Sequence, residues 1–173
     1  MLKFEMLKSL KISFLFITSF LVASEPTLAV LENIVSNDTQ KFSIGKYNFY
    51  CKPYGVVTLN ELYANTTLGS TCKKSIETFY TKNPDLKYYS FNYLKIKQMY
   101  HIEFKKDRCI VFVQGQKNLS ELLLESGLAL QKPFFKDKEY GALLKNSQKR
   151  ARMLRKGMWS ENILRECIVE LYK

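Results

Sequence analysis

Arg108 heads a short apolar run, Ile110-Val111-Phe112-Val113. A guanidinium at the mouth of a strand can clamp a phosphate through paired N–H donors. The plain alternative is a solvated strand-start residue paired with Asp107 or Glu103. The one histidine, His101, has Lys97 and Glu103 as neighbours and reads as part of an ordinary polar strand face. Carboxylates are sparse in one long stretch. Between Thr39 and Ile76 the only acidic residue is Glu61, and a hard divalent cation takes several oxygen ligands, usually including carboxylates. No metal and no other cofactor is therefore expected.

The four cysteines are Cys51, Cys72, Cys109 and Cys167. An even number in an exported chain points to two disulfides. The favoured pairs are Cys51–Cys72 and Cys109–Cys167, each of which ties an irregular piece to a strand. A zinc site is a weaker reading, since there is no C-x-x-C and only one histidine. Four buried free thiols is the third.

The elements that must position these groups can be read from periodicity. Glu25 to Gln40 has mixed polarity and no clear period, and reads as a lead-in arm. Tyr47, Phe49 and Cys51 alternate with Asn48 and Tyr50, Pro53-Tyr54-Gly55 marks a turn, and Val56 to Tyr63 reads as the partner strand of a hairpin. Thr71 to Lys82 has helical spacing and is ended by Asn83-Pro84-Asp85. Ile96 to Phe104 alternates again, and Lys105-Lys106-Asp107 turns the chain into the Arg108 strand. Asn118 with Glu121 is an Asn version of the capping box, and Gly127 can stop the short helix it opens. A last long helix spans about Asp137 to Lys156, with Tyr140, Leu143, Leu144, Ser147, Ala151 and Leu154 on one stripe. The expected fold is α+β, a small five-stranded OB-like β-barrel with about three packed helices.

One ordered set of residues is more specific than periodicity. It comprises Arg108, Asn118 or Ser120 with Glu121, Leu122 to Leu124, Gly127-Leu128-Ala129, Ala151, Arg155, Gly157 and Trp159. This set resembles the C-terminal half of the staphylococcal-nuclease (thermonuclease) family. The resemblance implies an enzyme that cuts phosphodiesters with a calcium ion, a water-positioning carboxylate and two arginines. In the register it implies, Arg108 is the second arginine. Asn60 takes the place of the first arginine, Asn65 that of a metal-binding Asp, and Leu68 that of the general-base Glu. The family's upstream Asp-Gly-Asp is missing. Leucine accepts no proton, and asparagine lacks the charge to hold the metal or clamp a phosphate. Losing any one such role costs a hundredfold or more, so the catalytic set is expected to be silent.

Composition sets the context. The chain has 173 residues, a formal net charge of +11 and 46% hydrophobic residues, enough for one domain with a real core. Lys3, Lys8 and Lys11 precede an apolar run from Ile12 to Ala23, too short to span a bilayer comfortably, with Val22-Ala23-Ser24 as a cleavage site. Residues 1–24 are expected to be a signal peptide, and an uncleaved anchor is the alternative. The leader holds three lysines and Glu5, which leaves +9 on the remaining 149 residues. Residues 25–40 are then the N-terminal arm, 41–159 the thermonuclease-like domain and 160–173 a C-terminal extension. No further membrane span is expected after cleavage.

Three surfaces could meet a partner. Lys145, Lys149, Arg150, Arg152, Arg155 and Lys156 form a basic helix face suited to nucleic acid or an anionic envelope, or simply solvated. Tyr88, Tyr89, Phe91 and Tyr93 could stack on bases or fill a protein interface. Ile163, Leu164, Ile168 and Leu171, with Cys167, form a stripe that either docks a partner or packs on its own domain. The favoured function is a periplasmic or secreted, inactive thermonuclease-like module that binds another envelope protein, for example in a flagellar motor or secretion apparatus. The alternatives are a secreted calcium-dependent nuclease and a non-catalytic nucleic-acid-binding OB-like protein.

Overall fold

A computed structural model describes residues 26–161, 163 and 165–167 apart from residue 116. The leader expected at 1–24 lies outside the described residues, as do Leu164, Ile168 and Leu171. Among the described residues no helix is long and apolar enough to cross a membrane.

The chain opens with a strand, β1 (Thr27–Ser36), which turns at Asn37-Asp38 into β2 (Thr39–Ile44) and then β3 (Tyr47–Cys51). The arm expected over 25–40 is thus the middle of the sheet, because β1 pairs with β2 on one side and with β5 (Met99–Lys105) on the other. Its alternation was hidden by irregularities. The β1–β2 register shifts between Leu31 and Asn33 and again between Ile34 and Ser36. The inward positions are therefore Ala29, Leu31 and Ile34 rather than an even series.

β6 (Arg108–Gln114) pairs with β5, and a two-residue β7 (Lys117–Asn118) ends the sheet, whose order is β3-β2-β1-β5-β6-β7. The barrel is not closed by a continuous ladder. Its two sides are tied by a single parallel bridge, Pro53 to Cys109, and by the disulfide Cys51–Cys109 beside it. The backbone N–H of Cys109 donates to Lys52 O (2.9 Å), and that of Tyr54 to Cys109 O (3.0 Å).

The expected hairpin partner strand from Val56 to Tyr63 does not form. β4 (Val56–Thr58) is three residues long and pairs with β8 (Ala129–Gln131), not with β3. The chain then turns helical in α1 (Leu59–Asn65), because Thr58 Oγ1 accepts the N–H of Glu61 at 3.1 Å and caps the first turn. α2 (Thr71–Lys82) matches the expected span, is capped by Ser70, and buries Cys72, Ile76 and Phe79. The aromatic stretch that follows forms 3-10 turns over Pro84–Asn92. Asn37, fully buried in the β1–β2 turn, holds that stretch: its side chain donates to Leu86 O (2.8 Å) and accepts from Ser90 N and Oγ.

α3 (Leu119–Glu125) carries the complete Asn118–Glu121 capping box. α4 (Gly141–Met153) is the long basic helix, and a 3-10 turn at Gly157–Trp159 plugs Met158 into the core. Gly127 and Gly157 meet backbone to backbone. Both have positive φ, and Met158 N–H donates to Gly127 O at 3.0 Å. A Cβ on Gly127 would stand 2.1 Å from Lys156 O, and one on Gly157 2.5 Å from Gly127 O. The two disulfides join Cys51 to Cys109 and Cys72 to Cys167, not the favoured pairs. The reason is topological: the end of β3 meets the start of β6 at the Pro53–Cys109 bridge, and the chain after Trp159 returns to α2 at Cys72.

Candidate functional site

Arg108 follows a tight turn at Lys106-Asp107, in which Lys106 takes a positive φ of 58°. The Cys109 bridge then draws the start of β6 against the segment that leaves β3. This points the Arg108 side chain into the angle between that segment and α1, where it is 7% exposed. Nη1 donates to Pro53 O (3.2 Å), Val56 O (3.0 Å) and Glu61 Oε2 (3.2 Å), and Nη2 donates to Glu61 Oε1 (2.5 Å). Nε is buried with no hydrogen-bond partner among the described residues. Neither Asp107 nor Glu103 is its partner. Glu61 in turn sits in the first turn of α1, where the helix dipole favours a carboxylate.

The Arg108–Glu61 pair was not foreseen. Strand alternation placed Glu61 on the far side, but residue 61 is helical. The signal available was Thr58-x-x-Glu61, the spacing of a helix N-cap, which competes with the apolar alternation around it.

Outside the pair lies a depression of about 460 Å³, walled by Tyr54 and Phe135 and edged by Lys105, Lys106 and Lys132. Burial, and then the Arg108 charge, hold the Lys132 ammonium below the usual lysine range. Lys105 is held above it by its hydrogen bond to Glu103. Burial pushes the Tyr54 hydroxyl up to about 12, helped by its hydrogen bond to Asp137 (2.9 Å). Burial also opposes ionisation of Asp137. It is outweighed by hydrogen bonds from Tyr140 N–H, Tyr54 O–H and Glu139 N–H, so Asp137 stays below the usual carboxylate range. Tyr140 donates to the buried Glu103 at 2.7 Å. The rim carries Asp107 and three lysines, of which Lys105 is paired with Glu103, while the guanidinium at the back of the depression already has a carboxylate in its fork. An anion reaching Arg108 must displace Glu61.

The other expected positions scatter. Asn60 lies in the first turn of α1 and accepts from Tyr80 O–H at 2.7 Å, in a separate tyrosine-lined cleft of about 440 Å³. Asn65 ends α1 exposed, and Leu68 is 85% exposed in the turn before α2. The three share no strand face, because the strand assumed for them is a helix. Among the described residues no three of His, Cys, Asp and Glu gather as a metal would require. Asp38 accepts the Ser36 hydroxyl, and His101 is an exposed residue of β5.

The aromatic quartet divides. Tyr88 and Phe91 are exposed and touch edge to face, whereas Tyr89 and Tyr93 are hydrogen-bonded to each other (2.9 Å) and Tyr89 packs on the core. Ile163 is 2% exposed and part of the core, and Cys167 is fixed to Cys72. The described part of the C-terminal stripe therefore packs on its own domain.

Residues 87–161 match the family model described as staphylococcal nuclease homologue. No curated protein matches the chain. The matched stretch contains Arg108, the Gly127–Gly157 contact and Trp159, and ends before Cys167. Glu61, the partner of Arg108, comes from the half of the chain outside it.

Proposed function

We propose, starting from the staphylococcal-nuclease-like domain in this chain, that the protein is a non-catalytic relative of the nucleases. It works outside the cytoplasm, in the periplasm or secreted, as an interaction or structural part of an envelope assembly. The observation that carries this reading is the buried Arg108–Glu61 pair. Arg108, the arginine that the resemblance sets at a catalytic position, is neutralised within the fold and pins α1 to β6. Two disulfides in a chain of this size support an oxidising compartment. The leader-like residues 1–24 support export.

One observation favours a second reading, a calcium-dependent nuclease. Arginine and glutamate, two residue types the nuclease chemistry uses, meet beside a cation-rimmed depression. On that reading the pair opens when a phosphate enters. Hydrolysis of single-stranded DNA and of RNA, with calcium and with a chelator, separates the two. No hydrolysis above the buffer rate is expected. Chelator-sensitive hydrolysis would favour the second reading.

A further inference from the structure

The chain has a second exposed surface, which adjoins the Arg108 depression at Lys132 and Phe135. The loop after β8, Lys132 to Lys138, carries Phe134 at its tip, 87% exposed and at a φ of 56° that a bulky residue rarely adopts. A shallow depression groups Phe134, Lys136 and Lys138 with Ala142 and Lys145 on α4. Positions 142, 145, 149 and 153 follow one stripe of a helix. The same face thus continues through Lys149 to Met153, which is 73% exposed. It presents four lysines between two protruding apolar tips.

The charge on this face is uncompensated. α4 contains no acidic residue. Among the described residues Lys136, Lys138, Lys145 and Lys149 form no ion pair, whereas Arg150 is paired with Glu125. The two nearby carboxylates turn elsewhere. Asp137 accepts from Tyr54 and from the backbone N–H groups of Glu139 and Tyr140 just ahead of α4, and Glu139 lies 4.0 Å from Lys105. We infer that this face docks on the surface of an anionic phospholipid bilayer. The lysines meet headgroup phosphates, and Phe134 and Met153 enter the boundary between headgroups and acyl chains. Lysines alone would fit nucleic acid equally well. The protruding methionine and the phenylalanine between lysines decide for lipid, since a thioether neither stacks on bases nor pairs with phosphate, while apolar tips flanked by cations suit an interface.

The test places a reporter on the face, so that attachment through residues 1–24 cannot imitate it. The full chain with Phe134→Trp is mixed with phosphatidylcholine vesicles with and without one quarter phosphatidylglycerol, and with duplex DNA, and compared with the unsubstituted chain, which carries Trp159. The expected result is a blue-shifted emission from position 134 only with the anionic vesicles, quenched by bromine-labelled lipid chains. The triple change Lys136→Gln, Lys145→Gln and Lys149→Gln should weaken that binding about a hundredfold, at about fivefold per lysine. An emission that stays unchanged while the chain sediments with vesicles would overturn the inference, as would a response to DNA alone or binding insensitive to the triple change.

Discussion

Arg108 illustrates how one ion pair can decide between a binding residue and a structural one. Its side chain and that of Glu61 are 8% and 12% exposed. Two carbonyls and a bidentate carboxylate take up its two terminal nitrogens. Breaking a pair this buried leaves a bare charge, which costs about 3–5 kcal/mol, while replacing both partners with apolar residues can be close to neutral. Glu61→Gln should therefore destabilise the fold by about that amount in denaturant unfolding. The pair Glu61→Leu with Arg108→Met should recover most of it. If Glu61→Gln proves neutral, the pair does not fasten α1 to β6. Both residues were visible in the sequence as the strand-leading arginine and the only carboxylate between Thr39 and Ile76. Their meeting was not, because it depends on a capped helix where alternation suggested a strand.

At the scale of elements, the C-terminal half was the more legible. The α3 capping box and the Gly127 stop, like α2 in the first half, follow from local signals that tertiary contacts do not override. The long helix is shorter than its periodicity suggested, Gly141–Met153, because Asp137 to Tyr140 form a turn that caps it. β1 was missed since two irregularities broke its period, and the strand expected over Val56 to Tyr63 stops at Thr58, where α1 begins, and pairs with β8 instead. The Gly127–Gly157 contact shows why glycine stands at both places. Each needs a positive φ, and each would drive a Cβ into the other's backbone. Gly127→Ala should cost roughly 2–4 kcal/mol, since overpacking and a forced positive φ add. Thermal unfolding of the variant checks this, and a loss below half a kcal/mol would mean that the two turns separate freely.

Over the whole molecule, two covalent ties do what continuous hydrogen bonding does not. Cys51–Cys109 links the two sides of a barrel whose ladder is incomplete, and Cys72–Cys167 fastens the segment after Trp159 to α2 across 95 residues. The cysteine count foretold two bridges but not which, since connectivity depends on the barrel's parallel closure and on where the chain end returns. Peptide mapping of the unreduced protein should recover 51–109 and 72–167. Removing the second bridge by Cys72→Ser with Cys167→Ser should lower stability by about 2–4 kcal/mol. Recovery of 51–72 and 109–167 would overturn this topology.

On the proposed reading, Arg108 is spent inside the fold and drives no phosphodiester cleavage. The most direct measurement is the calcium-dependent hydrolysis rate of a labelled single-stranded DNA by the unsubstituted protein and by Arg108→Lys. The prediction is that both match the protein-free rate, with and without chelator. A chelator-sensitive rate in the unsubstituted protein that disappears in Arg108→Lys would contradict it.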